Sequence, residues 1–190
     1  SAQRISRDLQ GQDEASPAAD GARASILAAV KAEVRRVLGP DVDVRVFDKL
    51  WKQTESGAWR SAQEGTFSPA ERIIAISMQA ENNPGTLDHE MIHWLRDAGL
   101  LDPRTWAVLR QGVTPQIVKD VADLYAGETA EMRQEEEVAE LNRLWKTGEH
   151  RVSPGIQGIF ERLERLWNRI ANAMHGLGFR TWEDVLAAIE

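Results

Sequence analysis

Cysteine is absent from the 190 residues. Disulfides and thiolate ligands are therefore excluded, and any metal held by this chain must use imidazole and carboxylate. Tyrosine occurs once, at Tyr125, and histidine four times, at His89, His93, His150 and His175. No apolar run approaches the roughly 20 residues that cross a bilayer. Nor does the N-terminal stretch carry an apolar signal core. The expected location is cytoplasmic, with no membrane partner. Basic residues are outnumbered, 23 against 30 acidic, for a net charge of −7. That balance counts against the phosphate backbone of nucleic acid as a partner, so a DNA-associated role is the weakest of the functional readings.

What the chain does have is a pattern of helix-period stripes with turn punctuation. Residues 1–21 are polar and rich in small side chains, with too little apolar surface to offset the entropy of ordering, and read as an arm or linker. Residues 22–190 read as one domain. Within it, Ile26, Leu27, Val30, Val34, Val37 and Leu38 recur at helical spacing up to the Gly39-Pro40 stop. Val42, Val44 and Val46 alternate with Asp41, Asp43 and Arg45, which predicts a half-buried strand. Trp51 and Trp59 flank Gly57 in a hairpin or irregular loop. The run Arg72-Ile73-Ile74-Ala75-Ile76-Ser77-Met78 is the strongest strand candidate. A turn cluster at residues 81–85 follows, then a helix from Thr86 that Gly99 is placed to end. Further helices are expected after Asp102-Pro103 and Thr114-Pro115, from Glu128 to Lys146, from Ile156 to Met174 and from Trp182 to Ile189.

The stretch around which these elements are arranged is Asp88-His89-Glu90-Met91-Ile92-His93-Trp94. It contains His-Glu-x-x-His. Two histidines four apart leave the same face of a helix one turn apart, close enough to hold one metal ion. Glu90 is the carboxylate placed to take a proton from metal-bound water. A catalytic zinc takes three protein ligands and leaves a position open. The third is sought in the acidic run Glu135-Glu136-Glu137-Val138-Ala139-Glu140. Glu136 is favoured, because Glu140 lies one turn later on the same face and can accept a histidine N–H from behind the ligands. Glu137 is the alternative ligand, and Asp97, one turn after His93, is a weaker candidate. Tyr125 either donates to a developing oxyanion or simply packs in the core. His150 and His175, beside glycine-rich loops, read as surface residues.

His89-Glu90-x-x-His93 followed by a later helical Glu-x-x-x-acid resembles the gluzincin-like zinc metallopeptidases. Residues 85–96, 99–106 and 136–140, with the closing Gly178-Phe179-Arg180-Thr181-Trp182-Glu183-Asp184-Val185, resemble more narrowly the metallopeptidase-like domains of large polyvalent proteins in phages and mobile elements. The resemblance spans about residues 66–190. It implies an α+β, zincin-like fold: a small mixed sheet packed on the active-site helix, residues 72–78 as its edge strand, and a mainly helical C-terminal half. It also implies Zn2+ on His89, His93 and Glu136, with Glu90 as base. The expected activity is peptide-bond hydrolysis, on the parent polyprotein or a host protein, and association with a virion is a further expectation. The competing expectation is a non-enzymatic module of such a polyprotein, stabilised by a metal or carrying a relic site.

Overall fold

Helical stripes resolve into helices, and so does one of the two stretches read as strands, while the other leads into a 3-10 turn. The computed structural model describes residues 17–49, 69–79 and 86–189. Along them run α1 (Pro17–Leu38), a 3-10 turn (Arg45–Lys49), α2 (Pro69–Gln79), α3 (Thr86–Asp97) and α4 (Pro103–Gln111). There follow α5 (Pro115–Leu124), α6 (Ala130–Lys146), α7 (Pro154–Gly176) and α8 (Trp182–Ile189). Four of the starts have one local cause. Asp102, Thr114, Thr129 and Ser153 each adopt an extended backbone and turn a side-chain oxygen onto N–H groups of the following turn. This satisfies donors that the first turn of a helix otherwise leaves without partners. Proline stands in the first turn of α4, α5 and α7, where its missing N–H costs nothing.

The longest helix supplies the broadest apolar face. On α7, Ile156, Phe160, Leu163, Leu166, Trp167, Ile170, Ala171 and Met174 are all buried. Steps of three and four keep them on one stripe. Against that stripe pack α1, through Ile26, Val30 and Val34, and α2. The α8 helix closes onto α1 and α2. There the buried Arg23 guanidinium donates to the Ile189 carbonyl at the last turn of α8, a cation where a helix end is negative. The second group of contacts joins α3 to α6, α5 to α6, and α4 to both α6 and α7. At the α4 end Gly112 sits so tightly that an added Cβ would lie 2.5 Å from Ile156 Cδ1 and 2.9 Å from Leu141 Cδ2. No larger residue fits there without displacing both neighbours.

The α+β, zincin-like expectation is corrected by this architecture, because the described residues contain no strand and no sheet. Residues 72–78, expected as an edge strand, lie within α2. The physical reason is which residues are buried: Ile73, Ile74, Ser77 and Met78 repeat as i, i+1, i+4 and i+5, a helical face. Ser77, fully buried, donates its hydroxyl to the Ile73 carbonyl one turn back at 2.6 Å, a bond available only in a helix. The three alternating valines also form no strand. The Asp43 carboxylate accepts from Arg45 N at 3.0 Å and turns the chain into the 3-10 segment; Val44, just before it, and Phe47, within it, are buried. At the other end of the domain, α1 starts at Pro17, inside the stretch read as an arm, and buries Ala19. Residues 1–16, the Trp51–Trp59 segment and the turn at 81–85 lie outside the described residues.

Candidate metal centre

The packing of α3 on α6 builds the site. Met91, Ile92, Trp94 and Leu95 anchor α3 in the core. Trp94 stacks on Phe47 at 6.3 Å and meets Trp167 edge-on at 5.9 Å. With those positions fixed, His89 and His93 are left half-buried on the side that faces α6. The helix is then closed by Gly99 in the left-handed region (φ +68°), with Gly99 N donating to Arg96 O and Leu100 N to Leu95 O. This is the paired bond pattern of a glycine C-cap, and a side chain at that φ would be strained. On the facing helix, Val138, Ala139 and Leu141 are fully buried and hold α6 in register.

His89, His93 and Glu136 converge. His89 Nε2 lies 2.8 Å from Glu136 Oε2, His93 Nε2 3.3 Å from Glu136 Oε1, and the two Nε2 atoms are 3.4 Å apart. All three ligand atoms fall within 4.8 Å of one another. Tetrahedral bonds of about 2.0–2.2 Å to nitrogen and oxygen set ligand atoms roughly 3.3 Å apart, so two of the separations match and the third is a short direct contact that a small carboxylate rotation lengthens. Two imidazoles and one carboxylate form a donor set that zinc uses in catalytic sites.

The charges around α6 separate Glu136 from its neighbours. Glu137, the alternative ligand, is buried and takes the Arg110 guanidinium instead. Glu140 does not reach a histidine; it is bound twice by Arg143, at 2.7 and 2.9 Å. Glu135 lies 3.5 Å from His93 Nδ1 and 3.7 Å from Arg96 Nε, and the Arg96 guanidinium lies over the Trp106 ring at 4.5 Å. Among the described residues, Glu136 alone of these four has no guanidinium partner. Its side chain is only 13% exposed. A carboxylate so enclosed needs compensating positive charge, and no arginine among the described residues supplies it.

Glu135, weighed with its neighbours only as a possible third ligand, occupies the place expected of Glu140. A carboxylate on Nδ1 would hold the His93 ring with Nε2 toward Glu136. The available signal was Arg96, one turn beyond His93 on the same face of α3, which draws Glu135 in beside the ring. Tyr125 caps the end of α5, near enough to Glu136 for that carboxylate's charge to act on its hydroxyl. Burial first, and then the negative charges of Glu136, Glu140 and Glu90, push its pKa above the usual tyrosine value. The phenol therefore stays protonated, and a donor, at neutral pH. Asp97 is exposed at the end of α3, and His150 and His175 take no part in the cluster.

Glu90 and His93 also line a cleft of about 280 Å³ between α3 and α2. Its α2 wall is Arg72, Ala75, Ile76 and Gln79, one face of that helix at steps of three and four. Where an edge strand was expected beside the histidines, a helical face stands. Among the described residues no helix is long and apolar enough to cross a membrane. Comparison with family models, with curated proteins and with solved structures returns no match to this chain.

Proposed function

We propose that this chain is a divalent-metal hydrolase acting on peptide bonds, with zinc as the ion. The observation that carries the reading is the convergence of His89, His93 and Glu136 at ligand spacing beside a cleft that Glu90 lines. An ion held by His89, His93 and Glu136 would supply a Lewis acid and would make a water more acidic. Glu90 accepts the proton of the attacking water at a carboxylate oxygen and delivers it to the amide nitrogen as the C–N bond breaks. Glu135 keeps the His93 ring oriented. The protonated Tyr125 hydroxyl, near Glu136, is the donor available to a developing oxyanion. Backbone pairing of an extended substrate with an edge strand forms no part of this reading, since the cleft wall is helical.

A metal-stabilised module without activity is the second reading. It is favoured by the origin of the ligands, on two packed helices 47 residues apart, which an ion would clamp together. Glu90 decides between them. Purified without added metal, the chain should carry about one zinc by elemental analysis, and His89→Ala none. Glu90→Gln should keep the zinc and lose peptide hydrolysis by roughly 10²- to 10⁴-fold, the usual contribution of a general base. Undiminished hydrolysis in Glu90→Gln sinks the mechanism; zinc without hydrolysis in the parent chain leaves the clamp.

A further inference from the structure

The lining of the cleft beside Glu90 is part apolar and part charged. Ala75, Ile76 and Trp94 are apolar, and Trp94 is only 3% exposed. Arg72, on the same face of α2, brings a guanidinium to the same space. Arg96, Arg110 and Arg143 are each committed to a glutamate of α6. Arg72 is exposed and makes no ion pair among the described residues, although Glu90 lines the same cleft. At about 280 Å³ the space is at the lower end of ligand pockets, which run from about 300 to 1,000 Å³. It suits a single residue of a substrate.

From this arrangement we infer that Arg72 is a specificity-determining residue that binds a substrate carboxylate in the cleft. The side chain of the same substrate residue then lies against Ala75, Ile76 and Trp94. The inference rests on the hydrolase reading for its substrate and narrows that substrate to peptides with a carboxylate next to the scissile bond. A guanidinium presents a planar fork of N–H donors that matches a carboxylate, and among the described residues no acid is paired with it. Glu90 stands on the opposite helix. Its charge repels the carboxylate from the α3 wall and leaves the Arg72 side as the favourable seat. Two sources offer this chemistry: the free C-terminus of a peptide, and an acidic side chain.

The test uses the full chain, both zinc-loaded and stripped of metal. N-acetyl-leucine and N-acetyl-leucinamide are titrated by chemical-shift perturbation, with Arg72→Ala and Arg72→Lys alongside. The acid should bind at least about tenfold more tightly than the amide, as expected for one charge-assisted contact. Arg72→Ala should erase that difference and Arg72→Lys keep part of it, in both metal states. Equal binding of acid and amide overturns the inference. So does acid binding that survives Arg72→Ala and needs zinc, since the carboxylate would then be on the ion. Because Arg72 is exposed, an unchanged circular-dichroism spectrum is expected of both variants.

Cleavage assays then separate the two sources. Peptides with free and amidated C-termini are compared, and peptides with internal Glu against Gln. A preference confined to the free end assigns the seat to the C-terminus. A preference for Glu over Gln assigns it to a side chain. Cleavage with neither preference overturns the inference and leaves the hydrolase standing. Arg72-dependent binding of the acid with no cleavage of any peptide has the opposite meaning: the carboxylate seat stands and the hydrolase reading falls.

Discussion

Glu136 and Glu137 are neighbours in the chain and end in opposite electrostatic settings. About 100° of helix rotation separates them. One side of α6 turns Glu137 to Arg110, a permanent cation, and the charge of that pair is closed. The other turns Glu136 to two imidazoles and a phenol, none of them a permanent cation. The Glu137 pair sits at the contact of α4 with α6 and serves packing; no guanidinium among the described residues closes the charge of Glu136. The candidate metal centre is thus marked by the one enclosed carboxylate on its helix that no arginine among the described residues reaches, more than by the number of acids. Three consecutive glutamates look alike in composition and differ entirely in what faces them.

The largest effect expected from this contrast is on metal retention. Glu136→Gln removes the charge and one ligand together, and should lower zinc affinity by 100-fold or more, roughly the loss of a charged ligand from a three-residue site. Competition against a chromogenic chelator measures it directly. Zinc should also raise the thermal midpoint of the parent chain and leave that of Glu136→Gln unmoved, because only an ion that binds the folded state stabilises it. Retention of parent-like affinity in Glu136→Gln would break the contrast at its centre.

On the arginine-facing side the order of effects reverses. Glu137→Gln leaves Arg110 without a charged partner; Arg110 is partly exposed, so the cost is well below that of a fully buried pair, about 1–2 kcal/mol. Chemical denaturation should record that loss, while zinc affinity stays within a factor of about two to three of the parent. A large fall in affinity with no loss of stability would mean that Glu137, not Glu136, reaches the ion.

The helical half of this chain was legible from local chemistry. Asp102, Thr114 and Ser153 start helices where their side chains can cap, and Gly99 and Gly148 follow helices where a left-handed residue is needed. The sheet was misread because Ile73, Ile74 and Ile76 favour strands by propensity, and seven residues are too few for the periods of 2 and 3.6 to separate clearly. Packing against α7, α3 and α8 chose the helix. Valines 42, 44 and 46 misled in the same way, over an even shorter window. In the site, the spacing of His89 and His93 was readable because it is local. What separates Glu136 from Glu137 was not, since it depends on Arg110 arriving from α4, 27 residues away. Glu140 was assigned to a histidine by its spacing from Glu136; nothing in that spacing accounts for Arg143, three residues on, which binds it first.

That last residue gives the smallest expected effect and the finest test. Glu140 lies on the same face of α6 as Glu136, and its charge is felt at Tyr125, so proximity alone would permit a role at the metal. Its two hydrogen bonds to Arg143 are partly exposed, and Arg143 also reaches Glu149 at 3.2 Å, so the guanidinium keeps a partner when Glu140 is neutralised. Glu140→Gln should therefore cost no more than about 0.5 kcal/mol of stability, the scale of a helix-surface ion pair. It should also leave zinc affinity within about threefold. A carboxylate that oriented a ligand histidine would behave differently, losing roughly 10- to 100-fold in metal affinity when replaced. The same chelator competition distinguishes the two results. A loss on the larger scale would place Glu140 with Glu136 on the metal-facing side of α6 and move the boundary between the two sides by one helical turn.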